Sequence, residues 1–206
     1  GRVVAEHFQS IGEPVDRDTL FQVASLSKWV TAWGVMTLVD EGRINLDAPI
    51  STYLKRWHLP DGAFDETQVT ARRLLSHTAG LTDGLGYGGF TPGQTVQRLE
   101  DSLTHASDAS PDADGRVRAG AEPGENFLYS GGGYALLQLV IEEVSGEPFN
   151  DYMQRAVLSP LGMTLSTFVL PEGAPNVAQS FNEHGGEAIL YNFSAPAAAS
   201  LYTSAA

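Results

Sequence analysis

The chain has no cysteine among its 206 residues, which removes disulfides, thiolate metal sites and a cysteine nucleophile together and leaves the redox compartment open. Lysine is almost as scarce: Lys28 and Lys55 are the only two. Twelve Lys and Arg against 25 Asp and Glu give a formal net charge of −13. That sign is wrong for a surface that neutralises phosphates, so neither nucleic acid nor anionic lipid is expected as a partner, and a neutral or cationic small substrate suits the chain better. No run approaches the roughly 18 to 20 apolar residues of a membrane helix, and no charged-then-apolar leader opens the chain. The sequence begins at Gly1 rather than Met, so a native leader could be missing from it. Cytoplasm, periplasm and secretion all stay open.

Several chemistries lack their signature as well. No G-x-S-x-G occurs, which leaves an α/β-hydrolase nucleophile elbow without support. The run Gly84-Leu85-Gly86-Tyr87-Gly88-Gly89 has neither the strand before it nor the helix after it that a nucleotide site needs. His184 has no partner at metal-ligand spacing, and His7, His58 and His105 are isolated. Neither a metal nor a cofactor is expected.

What is present, 42% hydrophobic and 18% charged residues, fits one globular domain over residues 1–206. Residues 2–8 (RVVAEHF) alternate roughly and residues 16–21 (DRDTLF) follow a Gly-Glu-Pro turn, so 1–24 reads as two sheet strands. From Ser25 onward a nucleophile helix and a mainly helical region are expected. Trp29, Trp33, Met36 and Val39 recur at helical spacing up to Gly42, which predicts a buried amphipathic helix with Ser25 at its N-terminus. Thr70 is a plausible N-cap for a short helix through Leu74 and Leu75 that Gly80 would stop. Residues 82–92 read as a glycine-rich loop, 94–103 as an amphipathic helix, and 107–120 as an exposed polar loop. Residues 134–144 predict a helix closed by Gly146, and Pro148 the first turn of another that ends near Leu158. The fold class is α+β with an interrupted sheet.

A serine hydroxyl needs a base within hydrogen-bond reach and donors for the oxyanion that forms. In Ser25-Leu26-Ser27-Lys28 the spacing brings a base onto the same helical face, since positions three apart are neighbours. Unpaired N–H groups and the positive dipole end at the helix N-terminus favour an anion there, and make the Ser25 N–H a natural half of an oxyanion hole. A base amine needs burial or nearby positive charge to give up its proton, and the apolar surroundings at Trp29 and Trp33 are compatible with that. The plainer reading is a serine N-cap followed by a solvated lysine. On the residues alone, Tyr129 reads first as an ordinary half-buried tyrosine before a glycine run.

Five blocks carry a family resemblance: FQVASLSK at 21–28, LVDEGRINL at 38–46, VTARRLLSHTAGL at 69–81, PGENFLYSGGGY at 123–134 and PLGM at 160–163. Their order and spacing resemble those of the β-lactamase-like serine hydrolases: class C β-lactamases, penicillin-binding proteins and DD-peptidases, D-aminopeptidases and family VIII carboxylesterases. The resemblance implies an antiparallel sheet flanked by helices with a largely helical subdomain, Ser25 as acylated nucleophile, Lys28 as its base, and Tyr129, the tyrosine of a Tyr-x-Asn motif, as proton shuttle to the leaving group. Gly131 stands where many relatives carry that Asn, so no side-chain amide is available there to bind a substrate carbonyl, and residues 131–133 could allow close backbone approach to the substrate. His77 lies in a segment that is a structural turn in relatives.

The resemblance also implies a third motif, a Lys or His followed by a small residue and Gly on a strand opposite the nucleophile, which is not found. The expectation is therefore an incomplete sheet, completed by a missing segment or a second chain, and no activity from these residues alone. The implied function is hydrolysis of a small ester, D-amino-acid peptide or β-lactam through an acyl-enzyme, with the esterase or peptidase preferred over a true β-lactamase. A silent ligand-sensing or assembly homologue and an acyltransferase are the alternatives.

Overall fold

The computed structural model describes residues 3–83 and 87–205; the first three residues of the glycine run 84–89 lie outside them, as do Gly1, Arg2 and Ala206. Helices dominate. A 3-10 turn at Ala24–Leu26 leads into α1 (Ser27–Asp40), followed by α2 (Ala71–Leu75), α3 (Leu99–Thr104), α4 (Gly131–Ser145), α5 (Phe149–Met153) with a wide turn at Gln154–Leu158, and α6 (Pro196–Ala199). The strands are two residues each. β1 (Phe21–Gln22) pairs antiparallel with β4 (Tyr202–Thr203) in the register Phe21 to Thr203, and β2 (Ser180–Phe181) pairs with β3 (Glu187–Ala188). The architecture is mixed α+β with short antiparallel pairs.

The hub is α4. Leu136, Leu137, Leu139, Val140 and Ile141 are all fully buried, each worth about 1.5–3 kcal/mol relative to exposure. Its N-cap is Ser130, whose Oγ accepts from the Gly133 N–H, and its C-cap is Gly146 at φ 77, a left-handed conformation that favours glycine. The expected cap at Thr70 is also present: its hydroxyl accepts from the Arg73 N–H at the start of α2. That helix ends at Leu75, five residues before Gly80.

Three expectations need correction. Residues 3–10 form no strand and are exposed throughout, and 16–18 is a turn, so among the described residues of 1–24 only Phe21–Gln22 is a strand; Arg2, where the first expected strand begins, lies outside the described residues. An apolar stretch without a facing layer gains nothing from extending. The tryptophan stripe of α1 is not its buried face: Trp29 is 70% and Trp33 48% exposed, while Ser27, Lys28, Thr31, Gly34, Val35 and Leu38 turn inward. Hydrogen bonding decides that orientation, because Thr31 Oγ1 donates to the Ala197 carbonyl at 2.9 Å and Tyr152 donates to the Gly34 carbonyl at 2.9 Å. Finally, 107–120 is not simply exposed: Val117 and Ala119 are buried, and Ala106 N–H to Gly115 C=O at 2.7 Å folds the segment onto the core.

Candidate active site

Ser25 sits in the 3-10 turn that feeds α1, exposed and directly after Ala24, whose φ of 46 is unusual for a residue with a Cβ. Ser27 holds that turn. Its buried hydroxyl donates to the Ala24 carbonyl at 2.5 Å and accepts from the Leu201 N–H at 2.9 Å, tying the Ser25 turn to the residue before β4. One turn into the helix, Lys28 is 7% exposed. Its Nζ donates to Ser25 Oγ at 3.1 Å and to the Ala198 carbonyl at 2.8 Å, and it lies 5.0 Å from the Tyr129 ring centre. The Ala198 contact is an α6 contribution with no sequence signal; α6 is clamped from the other side where the Ala197 N–H donates to Gln138 of α4 at 3.0 Å.

Tyr129 arrives from the far side of the chain, just before the α4 cap, and its phenol donates to Ser25 Oγ at 2.9 Å. Ser25, Lys28 and Tyr129 are thus brought together around one oxygen. Gly131 lines the same cavity of about 210 Å3.

The glycines after Tyr129 do make room for a close approach, though the approaching group belongs to the protein. A Cβ at Gly131 would stand 2.6 Å from Tyr87 Cε2, and one at Gly132 would stand 2.4 Å from Val117 Cγ2 and 3.0 Å from Asp83 Cγ. Asp83 is 1% exposed and fully engaged, with Oδ2 accepting from the Gly132 N–H at 2.9 Å and from Tyr87 at 2.7 Å, and Oδ1 accepting from Ser130 Oγ. Burial, reinforced by the charges of Asp83 and Asp108, pushes the Tyr87 phenol up, so it stays a donor. The sequence reading missed both residues; its one signal was the glycine run itself.

His77 adopts φ 57 and stacks on Tyr129 with ring centres 4.4 Å apart. Its Nδ1 accepts from the Ser130 N–H at 3.2 Å. Burial first, and Lys28 second, hold its pKa below the ordinary value of 6.5. Among the described residues no hydrogen bond joins it to Ser25, and its ring packs behind Tyr129. His184 is on the surface beside Glu183.

The arrangement offers a hydroxyl flanked by an amine and a phenol, each able to pass a proton to or from it, at the mouth of a small cavity. Comparison with known proteins bears on what such an arrangement belongs to. Penicillin-binding protein 4 of Amycolatopsis lactamdurans is 34% identical over 163 residues, covering 79% of this chain and 39% of that protein. Among solved structures, an octameric penicillin-binding protein homologue from Pyrococcus abyssi superposes with a TM-score of 0.70 at 30% identity, covering 93% of this chain and 44% of that one. A β-lactamase/D-alanine carboxypeptidase from Pseudomonas syringae shares the fold, with a TM-score of 0.69 at 23% identity over 94% of this chain and 50% of that one. The chain therefore spans half or less of the length of these relatives. The family described as Beta-lactamase matches over residues 1–206, and the chain belongs to it.

Proposed function

We propose that the protein is a serine hydrolase that acylates Ser25, with Lys28 as the base for the serine proton and Tyr129 as the donor to the leaving group. The single observation that carries this reading is the convergence on Ser25 Oγ of Lys28 Nζ at 3.1 Å and the Tyr129 hydroxyl at 2.9 Å. Family membership supports the reaction class in general.

The chemistry follows from proton bookkeeping around one oxygen. With the Lys28 amine neutral, the serine O–H donates to Nζ, and Oγ attacks the substrate carbonyl as its proton passes to nitrogen. When the tetrahedral intermediate collapses, the leaving oxygen or nitrogen takes a proton from the Tyr129 phenol, which Lys28 then replaces at the cavity mouth. Water, activated by the same pair run in reverse, attacks the acyl carbon and releases Ser25. The Ala198 carbonyl keeps the amine aimed at the serine through both halves. A small ester or peptide is preferred over a β-lactam, because Gly131 supplies no amide and the adjoining room is filled by Tyr87.

Turnover of a p-nitrophenyl ester by the intact polypeptide tests the assignment. Lys28→Met and Tyr129→Phe are each expected to lower kcat/KM by roughly 100-fold or more. Either variant turning over at the parental rate contradicts its role.

A further inference from the structure

Tyr129 must deliver its proton at one point, yet residues 127–130 belong to no helix or strand. A side chain on an irregular segment keeps its aim only if neighbouring groups hold it. His77 holds this one in three ways. Its carbonyl accepts from the Leu128 N–H at 2.7 Å, its Nδ1 accepts from the Ser130 N–H at 3.2 Å, and its ring stacks on the residue between them, Tyr129, with centres 4.4 Å apart. From there the phenol reaches Ser25 Oγ at 2.9 Å. We propose that His77 is a positioning residue for proton transfer, fixing the Tyr129 ring so that its hydroxyl stays on Ser25 and serves the leaving group; the inference rests on the reading of Ser25 as nucleophile and Tyr129 as proton donor.

The backbone around His77 argues for more than a turn. The residue stands just past α2, where its own N–H donates to the Leu74 carbonyl at 3.2 Å and the Thr78 N–H donates to the Arg73 carbonyl at 2.8 Å. These are the two bonds of a Schellman cap, whose residue at positive φ is usually glycine. His77 adopts φ 57 there and so carries a Cβ penalty that glycine would avoid. Closing the helix therefore does not account for an imidazole at this position. The grip on residues 128–130 does, and a strained conformation beside reacting groups is where such a role is to be sought.

The chemistry of the ring suits the task. Nδ1 can accept from Ser130 only while it carries no proton. Burial first, and Lys28 second, hold the His77 pKa below 6.5, with Asp83 opposing, so that acceptor is available at neutral pH. The remaining neighbours are aromatic: Phe127 lies edge-on at 5.6 Å between ring centres and Tyr134 is tilted at 5.4 Å. Lys28 Nζ lies 5.0 Å from the Tyr129 ring centre and 5.6 Å from that of Tyr134. A neutral imidazole thus supplies a stacking surface for Tyr129 without a second positive charge near the Lys28 amine. Since among the described residues the hydrogen bonds to Ser25 Oγ come from Lys28 and Tyr129, His77 acts through the phenol.

The test separates a misplaced Tyr129 from a loss of folded protein. Phenyl acetate and p-nitrophenyl acetate give the same acyl-enzyme on the intact polypeptide, and kcat/KM reports the step in which the leaving group departs. p-Nitrophenolate leaves readily as an anion, whereas the more basic phenolate gains more from a proton delivered by Tyr129. A smaller folded fraction lowers both rates equally. His77→Gly, which eases the cap but removes the ring and the acceptor, is expected to lower kcat/KM roughly tenfold for phenyl acetate and only about twofold for the p-nitrophenyl ester. His77→Asn, whose Oδ1 stands where Nδ1 does, is expected to give a ratio of the two rates between those of His77→Gly and the parent. Should the glycine variant not fold, the asparagine variant decides alone, because its ratio must still lie below the parent's. In a Tyr129→Phe background, His77→Gly is expected to leave the ratio unchanged. Equal losses on the two esters, or a selective loss that persists without the Tyr129 hydroxyl, overturns this inference and leaves the hydrolase reading standing. Failure to turn over either ester, together with no labelling of Ser25, overturns the hydrolase reading and this inference with it.

Discussion

The ring of Tyr87 occupies the space that a side chain at residue 131 would need, with Cε2 only 2.6 Å from where a Cβ would stand. The hydrogen bond from Tyr87 to Asp83 at 2.7 Å keeps the ring from swinging aside. Gly131→Asn, the substitution that restores the Tyr-x-Asn pattern, is therefore expected to destabilise the fold by about 1–3 kcal/mol through overpacking. Combining it with Tyr87→Ala is expected to recover part of that loss, so a double-mutant cycle in denaturant should show coupling between the two positions. Strict additivity would show that Tyr87 is not what excludes the side chain.

Ser25 and Ser27 lie two residues apart and are expected to fail in different ways. Ser25→Ala removes turnover without disturbing the fold, because among the described residues its hydroxyl bonds only Lys28 and Tyr129. Ser27→Ala leaves the Leu201 N–H without its buried partner, a loss of about 1–3 kcal/mol. Measurable activity should persist at temperatures where that variant remains folded. Thermal unfolding beside ester turnover separates the two, and the reversed pattern would contradict both assignments.

His77 links stability to pH. Its pKa is lowered in the folded state from 6.5, by burial first and Lys28 second, with Asp83 opposing. As pH falls through about 6.5, the unfolded chain takes up the proton before the folded one does, so stability declines towards acid. His77→Asn, which tolerates the φ of 57, should flatten that decline below about pH 6.5 relative to the parent. An unchanged acid slope in denaturant titrations would mean that His77 takes up its proton equally readily in both states.

The outward tryptophans of α1 give a prediction that depends on what surrounds the chain. In the 206 residues alone, Trp29→Glu should change stability by about 0.5 kcal/mol or less, since the side chain is 70% exposed. If further strands cover this helix in a longer polypeptide, as the resemblance implies, the same substitution there buries an unpaired charge and should cost several kcal/mol. Equal effects in both contexts would rule out a covering layer over Trp29.

How much of this was legible in the sequence depends on the range of the interactions. The Ser25–Lys28 spacing and the caps at Thr70 and Gly146 are local, and a few consecutive residues determine them. The pairing of Tyr129 with Ser25 spans 104 positions and was readable only through the family resemblance. Asp83 and Tyr87 were missed because they lie in a polar, glycine-rich stretch that reads as a loop, and nothing in a loop's composition says which carboxylate will be buried. The inward face of α1 was misread for a related reason. A hydrophobic stripe identifies the core face only when apolar burial decides the orientation, and here Lys28 and Thr31 turn inward to meet α6 carbonyls.

The central claim is that Ser25 is the acylated nucleophile, and peptide mapping by mass spectrometry after treatment of the intact polypeptide with a serine-directed phosphonate tests it most directly. The account predicts one adduct, on the peptide containing Ser25, that is absent from Ser25→Ala and slowed in Lys28→Met. An adduct on Ser27 or elsewhere, or labelling undiminished in Ser25→Ala, would contradict it.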